Sequence, residues 1–164
     1  LLPVIGRFEL GLDEFTFGIL YGVFGMGAVA AAFSLPMVNR LLGADRANIW
    51  AMGVSAAATL VAALAMTPVV VGAVVAINGA CWITVIANNG ASVQMILPNY
   101  MRARGMAVHQ MVFFGAMVLG ALLWGKIANF FDVRTALIGS VVMLVPLTVL
   151  AASIKLPGSS LPRV

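Results

Sequence analysis

Uncharged, mostly apolar windows recur along the chain, and the charged residues fall in the short stretches between them. Each window is about as long as the ~20 residues that an α-helix needs to cross the ~30 Å hydrocarbon core of a bilayer. A charged side chain at the centre of a spanning helix costs about 2.5–3.5 kcal/mol on an insertion scale, which explains this segregation. The pattern predicts an all-α, polytopic transmembrane bundle with five spanning helices over residues 15–35, 47–66, 69–97, 106–123 and 135–154.

The amino-acid composition also indicates a transmembrane protein. Hydrophobic residues make up 63% of the 164 and charged residues 9%, whereas an average soluble domain is about half apolar and a quarter charged. A soluble fold is therefore excluded. The formal charge of +4 comes from nine Lys and Arg residues that are scattered singly. Without a basic patch, nucleic acid is not an expected partner.

The chain opens with Leu1 rather than Met, and no basic segment precedes an apolar run with a small-residue cleavage site. We therefore expect a piece of a longer protein. The segment 1–5, just before Arg7, resembles the last turn of a sixth helix.

Loop charges predict an orientation. Loops alternate sides, and the face with more Lys and Arg is expected to be cytoplasmic. The loops 36–46, 98–105 and 155–164 carry six such residues, against three in 1–14, 67–68 and 124–134. The prediction is a multi-pass protein of the inner (plasma) membrane, with its N-terminal end outside and its C-terminus in the cytoplasm. Short connections also predict that consecutive helices are antiparallel neighbours. The 29-residue third window, the longest, should tilt or protrude.

Glycines predict close helix packing. Those of the first window share one helix face and should let another backbone approach, with helix sliding as the alternative role. The glycines of the fourth window recur every five residues, a spacing that does not keep them on one face of a helix. They should therefore contact more than one neighbouring helix. The packing candidates are Gly18, Gly22, Gly25, Gly115, Gly120 and Gly125.

Polar residues inside the third window are the main functional clue, because polar groups in lipid are costly unless they are paired or face a cavity. At 100° per residue, Asn78, Asn89 and Ser92 share a stripe and Asn88 flanks it. Trp82, one turn beyond Asn78, caps such a cavity or simply packs. The stripe predicts a substrate path, and the alternative is interhelical hydrogen bonding.

Two further polar groups are less informative. Gln94 should point away from the stripe. His109 is a candidate for proton coupling, since histidine exchanges protons near neutral pH; the alternative is a hydrogen-bonded interfacial residue. Cys81 is expected to be a small buried hydrophobe.

The sequence predicts no enzyme. It contains no His/Cys/Asp/Glu cluster at ligand spacing, no phosphate-binding loop with Lys, and no nucleophile with a base nearby. No metal and no cofactor are therefore expected.

The segment NNGASVQMILPNYMRARGMAVHQMVFFGAMVLGALLWG resembles the major facilitator superfamily, and more narrowly its branch of enterobactin exporters and related drug-efflux permeases. Gln94 and Pro98 match the end of that family's tenth helix, and Arg102 and Arg104 match its short basic loop. The glycines after this loop match its Gly-rich eleventh helix. The opening residues LLPVIGRFELGLDEFTFGILYGVFGMGAV are similar to the end of its seventh helix, an outer loop and a Gly-rich eighth helix.

This resemblance implies that residues 1–164 are part of the C-terminal half of a transporter, helices eight to twelve of a twelve-helix fold. It implies secondary transport by alternating access, as a proton-coupled exporter of a siderophore or drug-like molecule. The implied partners are the lipid bilayer, the cargo and the missing N-terminal six-helix half, without which the fragment should be inactive. The gate candidates on the cytoplasmic side, which include the remnant of a charged loop signature, are Arg40, Asp45, Arg46, Arg102 and Arg104. The alternative is a non-transporting helical subunit or assembly protein.

Overall fold

A computed structural model describes residues 14–64, 67–131 and 133–153. These residues form five α-helices and no strand: α1 Glu14–Leu42, α2 Ala44–Leu64, α3 Pro68–Ile96, α4 Arg102–Phe130 and α5 Val133–Ser153. The predicted ends of the second and fifth spans, at Met66 and Ile154, lie outside the described residues. So do the segment 1–5, Arg7, Lys155 and Arg163.

Four of these helices are long and apolar enough to cross a membrane. The segments are Gly18–Leu42, Ala44–Leu64, Pro68–Ile96 and Arg102–Phe130. In the fifth helix the apolar stretch Thr135–Pro146 is shorter. The predicted helical membrane bundle is confirmed, and a fifth spanning segment stays a prediction.

Three helices are longer than a hydrocarbon core requires. Helices α1, α3 and α4 have 29 residues each, about 43 Å at 1.5 Å per residue. That length matches a bilayer with its headgroups, about 40–45 Å. The third window corresponds to α3 and its 29 residues, but α1 and α4 are equally long. The apolar windows stop at the first charge, whereas the helix continues into the headgroup region, where Arg102 and Lys126 can reach water.

The predicted loop 36–46 is also wrong. Helix α1 continues through Pro36 to Leu42, and the connection to α2 is Gly43 alone. The Gly43 backbone has φ +81°. Its N–H donates to the Asn39 carbonyl oxygen at 3.0 Å, and its own carbonyl oxygen accepts from the Ala47 N–H at 3.0 Å. A left-handed residue after a helix is nearly always Gly, because other side chains clash with the backbone there.

Helix α3 lies at the centre of the packing. It contacts α1 and α2 most extensively, and α2 in turn packs on α5. Consecutive described helices are in contact, as expected, although the principal partner of α1 is α3. The small residues of α2 pack tightly, since its buried residues include Ala47, Ala51, Ala56, Ala58, Ala62 and Ala63. Helix α4 touches α5 and α3 less extensively and buries none of its described residues.

Helices α1 and α3 cross with their backbones close together. A Cβ built on Gly27 would collide with the Ala76 carbonyl oxygen, and one built on Gly79 with the Phe24 carbonyl oxygen. Among the described residues, the face of α1 that closely approaches α3 is the one that holds Gly27. A Cβ meets nothing within 4 Å at Gly18, Gly22, Gly25, Gly115, Gly120 or Gly125. Contacts of these six with parts of the protein outside the described residues stay a prediction.

Candidate functional site

Two of the cavities that adjoin α3 concern the candidate site. Cavity A has a volume of about 550 Å³ and lies between α3 and α4. It is lined by Ile86, Ala87, Asn89, Gly90, Ala91, Gln94, Met95, Arg102, Met106, His109, Gln110 and Phe113. Cavity B has a volume of about 510 Å³ and lies among α1, α2, α3 and α5. It is mainly apolar, and its polar lining residues are Ser55, Thr59, Asn78 and Ser140.

Cavity A has one polar wall from each of its two helices. On α4, Arg102, His109 and Phe113 fall at helical spacing along one face, so a single face presents them all. On α3 the polar lining residues are Asn89 and Gln94. Sequence reasoning placed Gln94 away from the Asn stripe, and the structure places it in cavity A beside Asn89.

An aromatic contact stands between the two cavities. Phe113 lines cavity A, and Trp82 lines cavity B. Their ring centroids are 5.5 Å apart and the planes are tilted by 52°. The His109 ring lies 6.5 Å from that of Phe113. This ring contact joins the lining of cavity A to that of cavity B.

A cluster of four asparagines, Asn39, Asn48, Asn88 and Asn89, joins three helices. The Asn88 amide donates to Asn48 Oδ1 at 3.0 Å and to Asn39 Oδ1 at 3.2 Å, and Asn39 donates back to Asn88 Oδ1 at 2.6 Å. Asn48 donates to Asn89 Oδ1 at 3.0 Å. Asn88 is only 3% exposed, and Ser92 bonds to its backbone oxygen within α3. Asn88 and Ser92 line neither cavity, so the structure places them in helix packing.

Sequence reasoning missed Asn39 and Asn48. Asn39 fell in a predicted loop, and Asn48 lay unremarked at the start of the second window. The signal that identifies Asn39 is the apolar run on both sides of it, Met37, Val38, Leu41 and Leu42, which continues the helix past Pro36.

Asn78 belongs to cavity B. Its Oδ1 accepts a hydrogen bond from the Ser55 hydroxyl of α2, and both residues line the cavity. Asn78 and Asn89, predicted to share one stripe, thus border two different cavities.

The five gate candidates are at helix ends that short connections bring to one end of the bundle. Arg40 is in the last turn of α1, Asp45 in the first turn of α2 and Arg102 in the first turn of α4. Arg46 and Arg104 are exposed. Of the five, only Arg102 lines cavity A. A gating role for them stays a prediction.

No group of three or more His, Cys, Asp or Glu residues that could hold a metal ion occurs among the described residues. The polar groups of cavity A are instead suited to hydrogen bonding and charge pairing with a bound molecule. Amide groups at Asn89, Gln94 and Gln110 both donate and accept, and Arg102 only donates.

A family model described as a transmembrane secretion effector matches residues 1–161. A search of curated proteins and a search of solved structures each give no significant match.

Proposed function

Because the chain belongs to the transmembrane secretion effector family of the major facilitator superfamily, we propose that it is part of an exporter that moves a small molecule by alternating access. In this proposal its helices are five of the six in the C-terminal half, and the N-terminal half completes the transport path. The protein lies in the inner (plasma) membrane, with the basic helix ends in the cytoplasm.

The size and position of cavity A support the transport proposal. Its volume of about 550 Å³ lies within the ~300–1,000 Å³ typical of small-molecule sites. It adjoins α4, a helix of 29 residues with no buried residue among those described. Polar side chains on such an apolar helix are costly in lipid unless they face water or a partner. The second half of the transporter would cover this helix and turn cavity A into an enclosed path.

Asn89 and Gln94 are the path-lining groups of α3 in this proposal, with Trp82 and Phe113 as the barrier to cavity B. Asn78 lines a second compartment beyond that barrier. Because Arg102 marks the end of cavity A at the basic helix ends, the cargo would enter from the cytoplasm, in the direction of export.

The role of cavity A in transport can be tested by filling the cavity with a larger side chain. Gly90 lines cavity A, and a Cβ built on it meets nothing within 4 Å. Gly90→Met should therefore fold normally and reduce export at least tenfold, because a thioether chain occupies the space that the cargo needs. The measurement is efflux of the natural cargo, or of a drug panel, from cells that express the protein with its whole natural chain.

Gly72→Met is the matched control. Gly72 is on the same helix, a Cβ there also meets nothing within 4 Å, and it does not line cavity A. If both variants are made in normal amounts and Gly90→Met exports as well as Gly72→Met, cavity A is not on the path.

Proton coupling is proposed for His109, because it is the histidine that lines cavity A. His109→Gln keeps a hydrogen-bonding group and removes the exchangeable proton. Export driven by an imposed pH gradient across inverted vesicles should fall at least tenfold, while exchange of labelled cargo without a gradient continues. Unchanged gradient-driven export would exclude His109 as the coupling group.

The asparagine cluster favours a second candidate function, that of a non-transporting helical subunit. Its hydrogen bonds join three helices and enclose Asn88 without a path. Purified protein in vesicles separates the two functions: a transport protein moves cargo across the bilayer alone, and an assembly subunit does not.

A further inference from the structure

Cavity A carries positive charge and no compensating acid. Arg102 lies at one end of the cavity, and none of its described lining residues is Asp or Glu. Arginine keeps its charge at any physiological pH and forms paired hydrogen bonds with a carboxylate or a related planar anion. The cavity therefore attracts negative charge at one defined place.

Two polar groups of α4, His109 and Gln110, lie deeper in the cavity. His109 is seven residues beyond Arg102 on α4, about 10 Å along the helix axis. Both side chains lean toward the N-terminus of α4, so this axial separation is kept and the two do not meet on one small ion. Between them α4 contributes the apolar Met106. The facing wall of α3 contributes the apolar Ile86 and Met95, beside its polar Asn89 and Gln94.

From this arrangement we infer that cavity A binds amphipathic organic anions as cargo, with the anionic group at Arg102 and the apolar body toward Phe113. The cargo is about 10 Å long or longer, and a hydrogen-bonding group at its far end meets His109 and Gln110. This inference rests on the proposed transport function and adds to it the class of molecule that is carried.

Three dansyl probes that differ in charge test the inference: dansylglycine, dansyl amide and dansylcadaverine, which are anionic, neutral and cationic. Binding is measured by fluorescence at equilibrium, with the complete protein in phosphatidylcholine nanodiscs. A hydrogen-bonded charge pair should make dansylglycine bind about tenfold more tightly than dansyl amide. Dansylcadaverine should bind most weakly.

Two substitutions, each of which removes one arginine charge, locate the binding site. Arg102→Gln should lower the affinity for dansylglycine about tenfold, to the level of dansyl amide, and leave dansyl amide unchanged. Arg104→Gln removes a charge two residues away that does not line the cavity and should retain the preference. Equal effects of the two substitutions, or equal affinities for all three probes, would overturn the inference.

A lipid headgroup is the other source of an amphipathic anion. Cargo binding predicts that replacing part of the phosphatidylcholine with phosphatidylglycerol leaves dansylglycine affinity unchanged. If phosphatidylglycerol displaces the probe from the unmodified protein but Arg102→Gln abolishes this competition, the site holds lipid and the inference fails. If the protein exports cargo but binds the three probes with equal affinity, this inference alone is overturned. Anion binding by a protein that exports nothing overturns the transport function.

Discussion

Asn88→Leu is expected to lower the free energy of unfolding by about 2 kcal/mol. The substitution removes the amide that exchanges hydrogen bonds with Asn39 of α1 and donates to Asn48 of α2. Single interhelical hydrogen bonds in membranes contribute about 0.6 kcal/mol on average and at most about 1.7. Here the loss is larger, because removing a side chain only 3% exposed leaves the Asn39 amide and Asn48 Oδ1 without their partner. An unsatisfied group costs about 1–3 kcal/mol.

The measurement is reversible unfolding of the complete protein in mixed micelles by titration with a denaturing detergent. Ser92→Ala is the control: Ser92 is one turn away and 7% exposed, yet its hydroxyl bonds only to the backbone of its own helix. It should cost less than about 0.5 kcal/mol. If Asn88→Leu is as mild as Ser92→Ala, the cluster does not stabilise the packing of the three helices.

Helical periodicity and hydropathy were sufficient to predict the membrane bundle and all five helices, because an uncharged run of ~20 residues has few other stable states. They failed at the helix ends. Arg102 is helical rather than in a loop, because an exposed cation at a helix end is solvated in the headgroup region and does not break backbone hydrogen bonding. Gly43 alone ends α1, and Pro36 does not, since a proline in a membrane helix leaves most of the backbone bonds intact.

The site shows a similar limit. Gln94 was expected to point away from the stripe that holds Asn89, yet both residues line cavity A. What periodicity cannot supply is the neighbour that each face meets. Asn88 faces two asparagines of other helices, whereas Gln94 faces α4 across an open cavity. The local sequence pattern determines on which side of the helix a polar side chain lies. Tertiary packing decides whether that side meets a hydrogen-bonded core or a substrate path.

Gly27→Ala is the second substitution with a large expected effect, a loss of about 3 kcal/mol in the free energy of unfolding, at the upper end of the usual cost of overpacking. The added methyl group would collide with the Ala76 carbonyl oxygen. Since that atom belongs to the backbone of α3 and not to a flexible side chain, the two helices must separate. Gly79→Ala should have the same effect through the Phe24 carbonyl oxygen.

Gly25→Ala is the matched control, because it is on the same helix and its Cβ meets nothing within 4 Å. Alanine is the better helix former by about 1 kcal/mol, so this variant should be as stable as the unmodified protein or more stable. The double variant Gly27→Ala with Gly79→Ala then tests the crossing itself. Either methyl group alone separates α1 from α3, so the second should add little, and the two losses should be strongly non-additive. Additive losses would show that the two glycines act at independent places, and a mild Gly27→Ala would show that α1 and α3 do not cross at Gly27.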